Sequence, residues 1–98
     1  MPVSSLTIGL LHIDLLIPGA RSLKDKRRVL SSLKSLLRNR YNCSVAEVDY
    51  KDKWGRGRLA VVVVSDDSAH ANEQLNEIAR FCGNHHAALM TDYSIELM

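Results

Sequence analysis

Aromatic side chains and cysteines are scarce in this 98-residue chain. Aromatics make up 5 % of it, which leaves Leu, Val and Ile to build the core. Cys43 and Cys82 lie far apart and show no CxxC or Cys-to-His ligand spacing. This pattern favours reduced, structural thiols over a redox or metal site.

Long apolar runs are missing as well. No stretch approaches the roughly 18 residues of a membrane helix, and no basic run precedes an apolar stretch near residue 1. We therefore expect a cytoplasmic protein. With no repeat, linker or low-complexity segment, residues 1–98 are predicted to form a single domain.

Charge is unevenly distributed, although the net charge is only +2. Residues 21–58 hold twelve of the thirteen Lys and Arg against four acids, whereas residues 59–98 hold one against six. Such polarity within one domain predicts a partner, most often a polyanion. A solvated basic helix is the alternative.

Hydrophobic periodicity and turn residues predict six elements. They are a strand over 5–17, a helix after Ser22, a strand over 43–50, a strand over 59–64, a helix capped within 65–68 and ended by 83–84, and a strand over about 87–97. Ser22 and Asp25 have capping-box spacing, and Asn42 suits a left-handed helix exit. Val45 and Val48 are out of phase, which predicts a bulge between them.

The order β-α-β-β-α-β predicts an α+β sandwich of the ferredoxin-like type. Its antiparallel sheet has strand order 4-1-3-2, with both helices on one face. The two central strands read as apolar on both faces, whereas a sheet covered on one face should alternate. We therefore expect a second copy to cover the helix-free face, giving a homodimer.

When the first helix is projected at about 100° per residue, a basic face lies opposite an apolar one. The apolar face, called the leucine stripe below, comprises Leu23, Val29, Leu30, Leu33, Leu36, Leu37 and Tyr41. The basic face comprises Lys24, Arg27, Arg28, Lys34 and Arg38. It extends over roughly 20 Å, enough to span several phosphates. This predicts an RNA-binding face, and a solvated face that only keeps the protein soluble is the alternative.

The turn between the second and third strands adds Lys53, Trp54 and Arg56, flanked by further cations. An aromatic among cations can stack on an unpaired base. Alternatively, Trp54 folds back over the sheet edge or fills a dimer contact with an arginine stacked on it. RNA binding through aromatics on the open sheet face is disfavoured, because that face reads as aliphatic.

Three segments carry a resemblance to a known family. They are residues 15–28, with the run Pro-Gly-Ala-x-Ser-Leu-Lys-x-Lys-Arg, residues 42–48, with Ser-Val-Ala-Glu-Val, and the set Asp52, Trp54 and Arg56. With them the chain resembles, over nearly its whole length, the YlxP-like bacterial family, a domain of unknown function. The resemblance implies a ferredoxin-like fold, dimers and genes beside those of translation and ribosome maturation. It provides no catalytic residues or cofactor, and favours RNA or a ribosomal particle as partner.

Two further readings compete with RNA binding. A dimeric module whose partner is a protein with an acidic surface fits the same charges. An acylphosphatase-like enzyme would hold an anion at Arg21 and Ser22, between the first strand and helix. That family's Gly-x-Val-Gln-Gly-Val loop and Asn-bearing motif are absent. His12 and Asp14 share a strand face, but no nucleophile is placed beside them, so packing or a dimer contact is favoured.

The remaining histidines and acids do not form a recognisable metal motif. Asp66 and Asp67 could hold a metal ion with His70 one helical turn further on, but helix capping explains both acids more simply. His85 and His86 follow the second helix without a third ligand in local spacing, which favours a surface loop over zinc.

Overall fold

A computed structural model describes residues 6–98 and confirms the predicted order of elements. The elements are β1 (Thr7–Leu16), α1 (Leu23–Arg40), β2 (Ser44–Asp49), β3 (Arg56–Ser65), α2 (Ser68–Gly83) and β4 (Leu89–Leu97). They form a four-stranded antiparallel sheet in the order β2-β3-β1-β4, which is the predicted 4-1-3-2 order. The expected start of the first strand at residue 5 lies outside the described residues.

The two central strands, β1 and β3, set the core. They pair from Thr7 opposite Ser65 to Leu16 opposite Arg56. Because side chains alternate along a strand, Leu11 and Ile13 point to the same side as their partners Val61 and Leu59. All four are fully buried, together with Leu side chains of α1 and Leu, Ile and Ala side chains of α2. The core is therefore aliphatic, as expected.

Helix α1 begins with the predicted cap but ends differently from the prediction. Ser22 Oγ accepts a hydrogen bond from the Asp25 backbone N–H at 3.1 Å, and Asp25 Oδ2 reaches back to the Arg21 N–H at 3.0 Å. At the other end Tyr41 is extended, with φ −128°, and Asn42 is not left-handed. The prediction of a left-handed exit was wrong, because the extended chain leads within three residues into β2, and Cys43, just before that strand, packs against the core.

Strand β2 contains the predicted irregularity. Its register against β3 shifts between Glu47 and Asp49, so Val48 is the extra residue of a bulge. Tyr50 follows with φ 61°, a left-handed conformation that is uncommon for a tyrosine. The bulge and this residue together turn the chain into the β2–β3 hairpin.

Helix α2 and the thiols agree with the sequence-based interpretation. Asp67 is the N-cap, and its Oδ1 accepts from the Ala69 N–H at 3.0 Å. Both cysteines are free, and burial raises the pKa of Cys82 to about 12 and also raises that of Cys43. Thiols that stay protonated in this way have little nucleophilic character.

The helix-free face of the sheet carries its main apolar cluster at one end, and polar residues interrupt the apolar character along its middle. There Ile8 lies opposite Val64, and Leu10 lies opposite Val62. Further along this face His12, Asp14 and Arg58 are polar, and beyond them Leu16 and its β4 partner Leu89 are again apolar and exposed. The apolar patch, defined as Ile8, Leu10, Val62 and Val64, is therefore smaller than a whole sheet face.

Candidate nucleic-acid interface

Helix α1 carries its five predicted binding cations in two rows. At about 100° per residue, Arg27, Lys34 and Arg38 project together on one flank of the helix, and Lys24 and Arg28 project on its outer crest. Lys34 is partly buried and the other four are exposed. We call these rows the flank cations and the crest cations.

The flank cations line a groove between α1 and the edge strand β2. The groove has a volume of about 470 Å³, and its remaining lining comes from Val45, Ala46, Glu47 and Lys51. Arg38 Nη2 donates to the Val45 carbonyl oxygen at 3.1 Å, which fixes one flank cation against the strand edge. The predicted basic face of α1 is thus bordered on one side by a groove.

Lys26, a residue that sequence reasoning did not single out, joins α1 to the hairpin. Its side chain is 1 % exposed, and Nζ lies 2.7 Å from Glu47 Oε2 and donates to the Tyr50 carbonyl oxygen. The sequence held a signal for this role, because Lys26 lies on the leucine stripe, four residues before Leu30. A lysine at a stripe position must be buried together with a partner.

The hairpin tip presents Trp54 to solvent. Its side chain is 56 % exposed, and Lys53 and Arg56 are also exposed. The arginine stacking that one interpretation gave to Trp54 occurs on Tyr50 instead, with Arg56 at 4.2 Å from its ring centroid and Arg58 at 5.4 Å. An aromatic face is therefore available at the tip.

Arg58, at the start of β3, forms an ion pair with Asp14 of the neighbouring strand β1. It lies opposite Asp14 in the β1–β3 register, and its Nε and Nη2 donate to the two carboxylate oxygens at 2.6 and 3.3 Å. The hydrogen bond from Arg58 lowers the pKa of Asp14. Since Arg58 holds this carboxylate, the acid–base pairing of His12 with Asp14 loses its geometric support.

The Asp14–Arg58 pair should give the domain a pH-dependent stability. Because the pKa of Asp14 is lower in the folded state, the pair stabilises fully above about pH 4, and the contribution is lost as pH falls through the folded pKa. We expect Asp14→Asn to unfold more easily than wild type at pH 7, with the difference between the two shrinking as the pH falls below about 4. Urea unfolding midpoints across pH 2–7 measure this, and a constant difference would contradict it.

Comparisons with known proteins identify the family of this chain. A family model described as "Protein of unknown function (DUF503)" matches residues 8–95. The chain belongs to the DUF503 family. It is 31 % identical over 74 residues to "Uncharacterized protein YlxP" of Bacillus subtilis (strain 168), covering 76 % of this chain and 80 % of that protein. The sequence-based resemblance to the YlxP-like family is confirmed.

A solved structure supports the fold alone. The "De novo designed protein Foldit4" superposes with a TM-score of 0.50 at 16 % sequence identity, covering 95 % of this chain and 96 % of that one. The DUF503 domain thus shares its architecture with a sequence of separate origin. Its function has to be argued from its own side chains.

The proposed anion site of an acylphosphatase-like enzyme is occupied in the DUF503 domain by one of its own carboxylates. Asp25 Oδ2 accepts from the Arg21 N–H, and Ser22 Oγ accepts from the Asp25 N–H. A phosphate at this helix N-terminus would meet a negative charge and find these two donors engaged. The geometry therefore argues against Arg21 and Ser22 as an anion site.

Other polar clusters of the DUF503 domain show structural roles. Within residues 6–98 no three His, Cys, Asp or Glu side chains are grouped so as to hold a metal ion. His85 Nδ1 accepts from the Ala87 N–H at 3.1 Å, and its ring stacks on His86 at 4.7 Å.

No helix in the described part of the chain is long and apolar enough to cross a membrane.

Proposed function

We propose that this protein is a cytoplasmic, non-enzymatic binding module that holds RNA or a ribosomal particle on a basic surface. The surface is formed by the flank and crest cations of α1 together with Lys51, Lys53, Trp54 and Arg56 of the hairpin. One observation carries the proposal. In residues 6–98, no salt bridge involves any of the five α1 cations.

Three acids near α1 have partners other than the five α1 cations. Glu47 faces Lys26, Asp49 lies 3.5 Å from Arg58, and Asp25 accepts from the backbone of Arg21. Among the described residues, the positive charge of the five α1 cations is therefore left without a salt-bridge partner. An external polyanion is the simplest group to supply it.

Spacing along α1 also favours a binding face over a merely solvated one. Lys24 and Arg28 are four residues apart, as are Lys34 and Arg38, so like charges are neighbours on the helix surface. Such pairs destabilise a helix by about 0.2–0.5 kcal/mol each. A helix that only had to be soluble could carry acidic and basic residues together, without this repulsion between like charges. Phosphates bound to α1 would relieve the repulsion between its cations.

Dimerisation is part of the proposal. The apolar patch lies on the sheet face opposite the helices, and Val64 within it is 65 % exposed. A two-fold contact through this patch would bury it in both copies. The α1 layer would remain accessible, so a dimer would display the basic surface twice.

Co-sedimentation with ribosomal subunits across a salt series tests the function. We expect wild type to co-sediment at low salt and to be released by RNase or by rising salt. Arg27→Glu/Arg28→Glu should reduce the bound fraction about tenfold or more, as expected from the loss of several phosphate contacts. For a matched pair of single reversals, Arg27→Glu should weaken binding, whereas Arg80→Glu, at an exposed position of α2, should not.

Two outcomes would overturn the RNA proposal. Indifference to both RNase and charge reversal would show that the basic surface is not used. Sensitivity to charge reversal without sensitivity to RNase would favour a protein partner with an acidic surface.

A further inference from the structure

We infer that the ligand is single-stranded RNA that lies in the groove between α1 and β2, with a base stacked on Trp54. This inference rests on the proposed function and assigns it to one side of α1. The crest cations then add charge from outside the groove, without defining the site.

The shape of the basic surface favours a single strand. The groove places flank cations on one wall and Val45, Ala46 and Glu47 of the β2 edge on the other, with Lys51 also in its lining. A duplex is a stiff cylinder that would rest on the convex crest of α1. A flexible strand can bend into a groove and bring its phosphates to the flank cations.

The length of the groove suits consecutive phosphates. Arg27 and Arg38 are eleven residues apart, which corresponds to about 17 Å along the helix axis, with Lys34 between them. Three positive charges in a row on one wall track a backbone, as in proteins that bind single strands without sequence readout.

Trp54 supplies the stacking surface expected of such a site. It follows Lys51 by three residues at the hairpin tip, and its indole is the exposed aromatic of the hairpin, since Tyr50 is covered by two arginines. Lys26 holds this hairpin to α1 through Glu47 and the Tyr50 carbonyl. The base of the hairpin is therefore held against α1, beside the groove.

The same geometry argues against an added peptide strand as occupant. A peptide extending the sheet at β2 would need the outward backbone groups of that edge. The Val45 carbonyl already accepts from Arg38. The groove thus offers guanidinium and ammonium groups to a ligand, with part of the backbone edge engaged.

Binding of a labelled 12-nucleotide RNA, compared with the blunt duplex of the same sequence, tests the inference. By fluorescence anisotropy at low salt, wild type should bind the single strand at least several-fold more tightly. Arg27→Glu/Lys34→Glu, in the groove, should weaken single-strand binding at least tenfold more than Lys24→Glu/Arg28→Glu on the crest. Both pairs change the charge equally and leave the buried stripe intact.

Trp54 provides an independent readout, because it is the single tryptophan of the chain. Its fluorescence should change on adding unlabelled single-stranded RNA, and Trp54→Ala should weaken binding about tenfold. Circular dichroism would verify that each variant remains folded.

The outcomes separate the inference from the proposed function. The inference of a single-strand groove would be overturned if the groove and crest variants lost affinity equally, if the duplex bound more tightly, or if the Trp54 fluorescence did not change. The proposed RNA-binding function would survive each of these results. Failure of wild type to bind either RNA at low salt would overturn both.

Discussion

Lys26→Met should destabilise the domain by about 3 kcal/mol, because it leaves the partly buried Glu47 carboxylate, whose Oε2 is enclosed, without its counter-charge. Glu47 Oε2 is enclosed and faces Lys26 Nζ at 2.7 Å, without another hydrogen-bond partner. The same substitution removes the donor to the Tyr50 carbonyl. Methionine fills much of the volume of the lysine stem, so the loss is electrostatic. For a domain of this size it should lower the melting temperature by about 15 °C.

Two further variants identify the cause of this loss. Lys26→Met/Glu47→Gln should recover more than half of the stability, because no buried charge is left unpaired. Lys24→Met, at an exposed position of the same helix, should change stability by no more than about 0.5 kcal/mol. Thermal and urea unfolding measure all three. A Lys26→Met protein as stable as Lys24→Met would show that the ion pair is not needed.

Val64→Glu should convert a dimer into a monomer. Val64 and its cross-strand partner Ile8 lie in the apolar patch, where a charge would be buried against the partner copy. In the isolated domain the glutamate would remain in solvent, so the fold should be retained. Light scattering at micromolar concentration should give twice the 11.0 kDa chain mass for wild type and 11.0 kDa for the variant.

Leu36→Glu is the matched control for the dimer contact. Leu36 is 43 % exposed on α1, away from the helix-free sheet face. The same introduction of charge at an exposed apolar position should leave the dimer intact there. A monomeric wild type would remove the argument for self-association, and dissociation by Leu36→Glu alone would move the contact to the helix layer.

Much of the fold could be predicted because local signals agree with one another. Alternation, caps and turn residues placed the elements to within a few residues, and the phase change between Val45 and Val48 located the bulge. The exit at Asn42 could not be settled locally. Its geometry depends on how Cys43 enters the sheet, which is a tertiary constraint.

The sequence predicted which residues form the candidate site, but not how they are arranged in space. Helical projection identified the α1 cations, yet their division into flank and crest depends on where β2 lies. The pairs Lys26–Glu47 and Arg58–Asp14 depend on helix packing and strand register over 21 and 44 residues of chain. Sequence spacing also could not show that the arginines stack on Tyr50 and leave Trp54 exposed.

The dependence of RNA affinity on salt tests most directly whether the basic surface binds phosphates. If about four phosphates are contacted, log affinity of wild type should fall against log salt with a slope of roughly −3. Arg27→Glu/Arg28→Glu should flatten that slope by about one unit or more. A wild-type slope near zero, or an unchanged slope in the variant, would contradict the account.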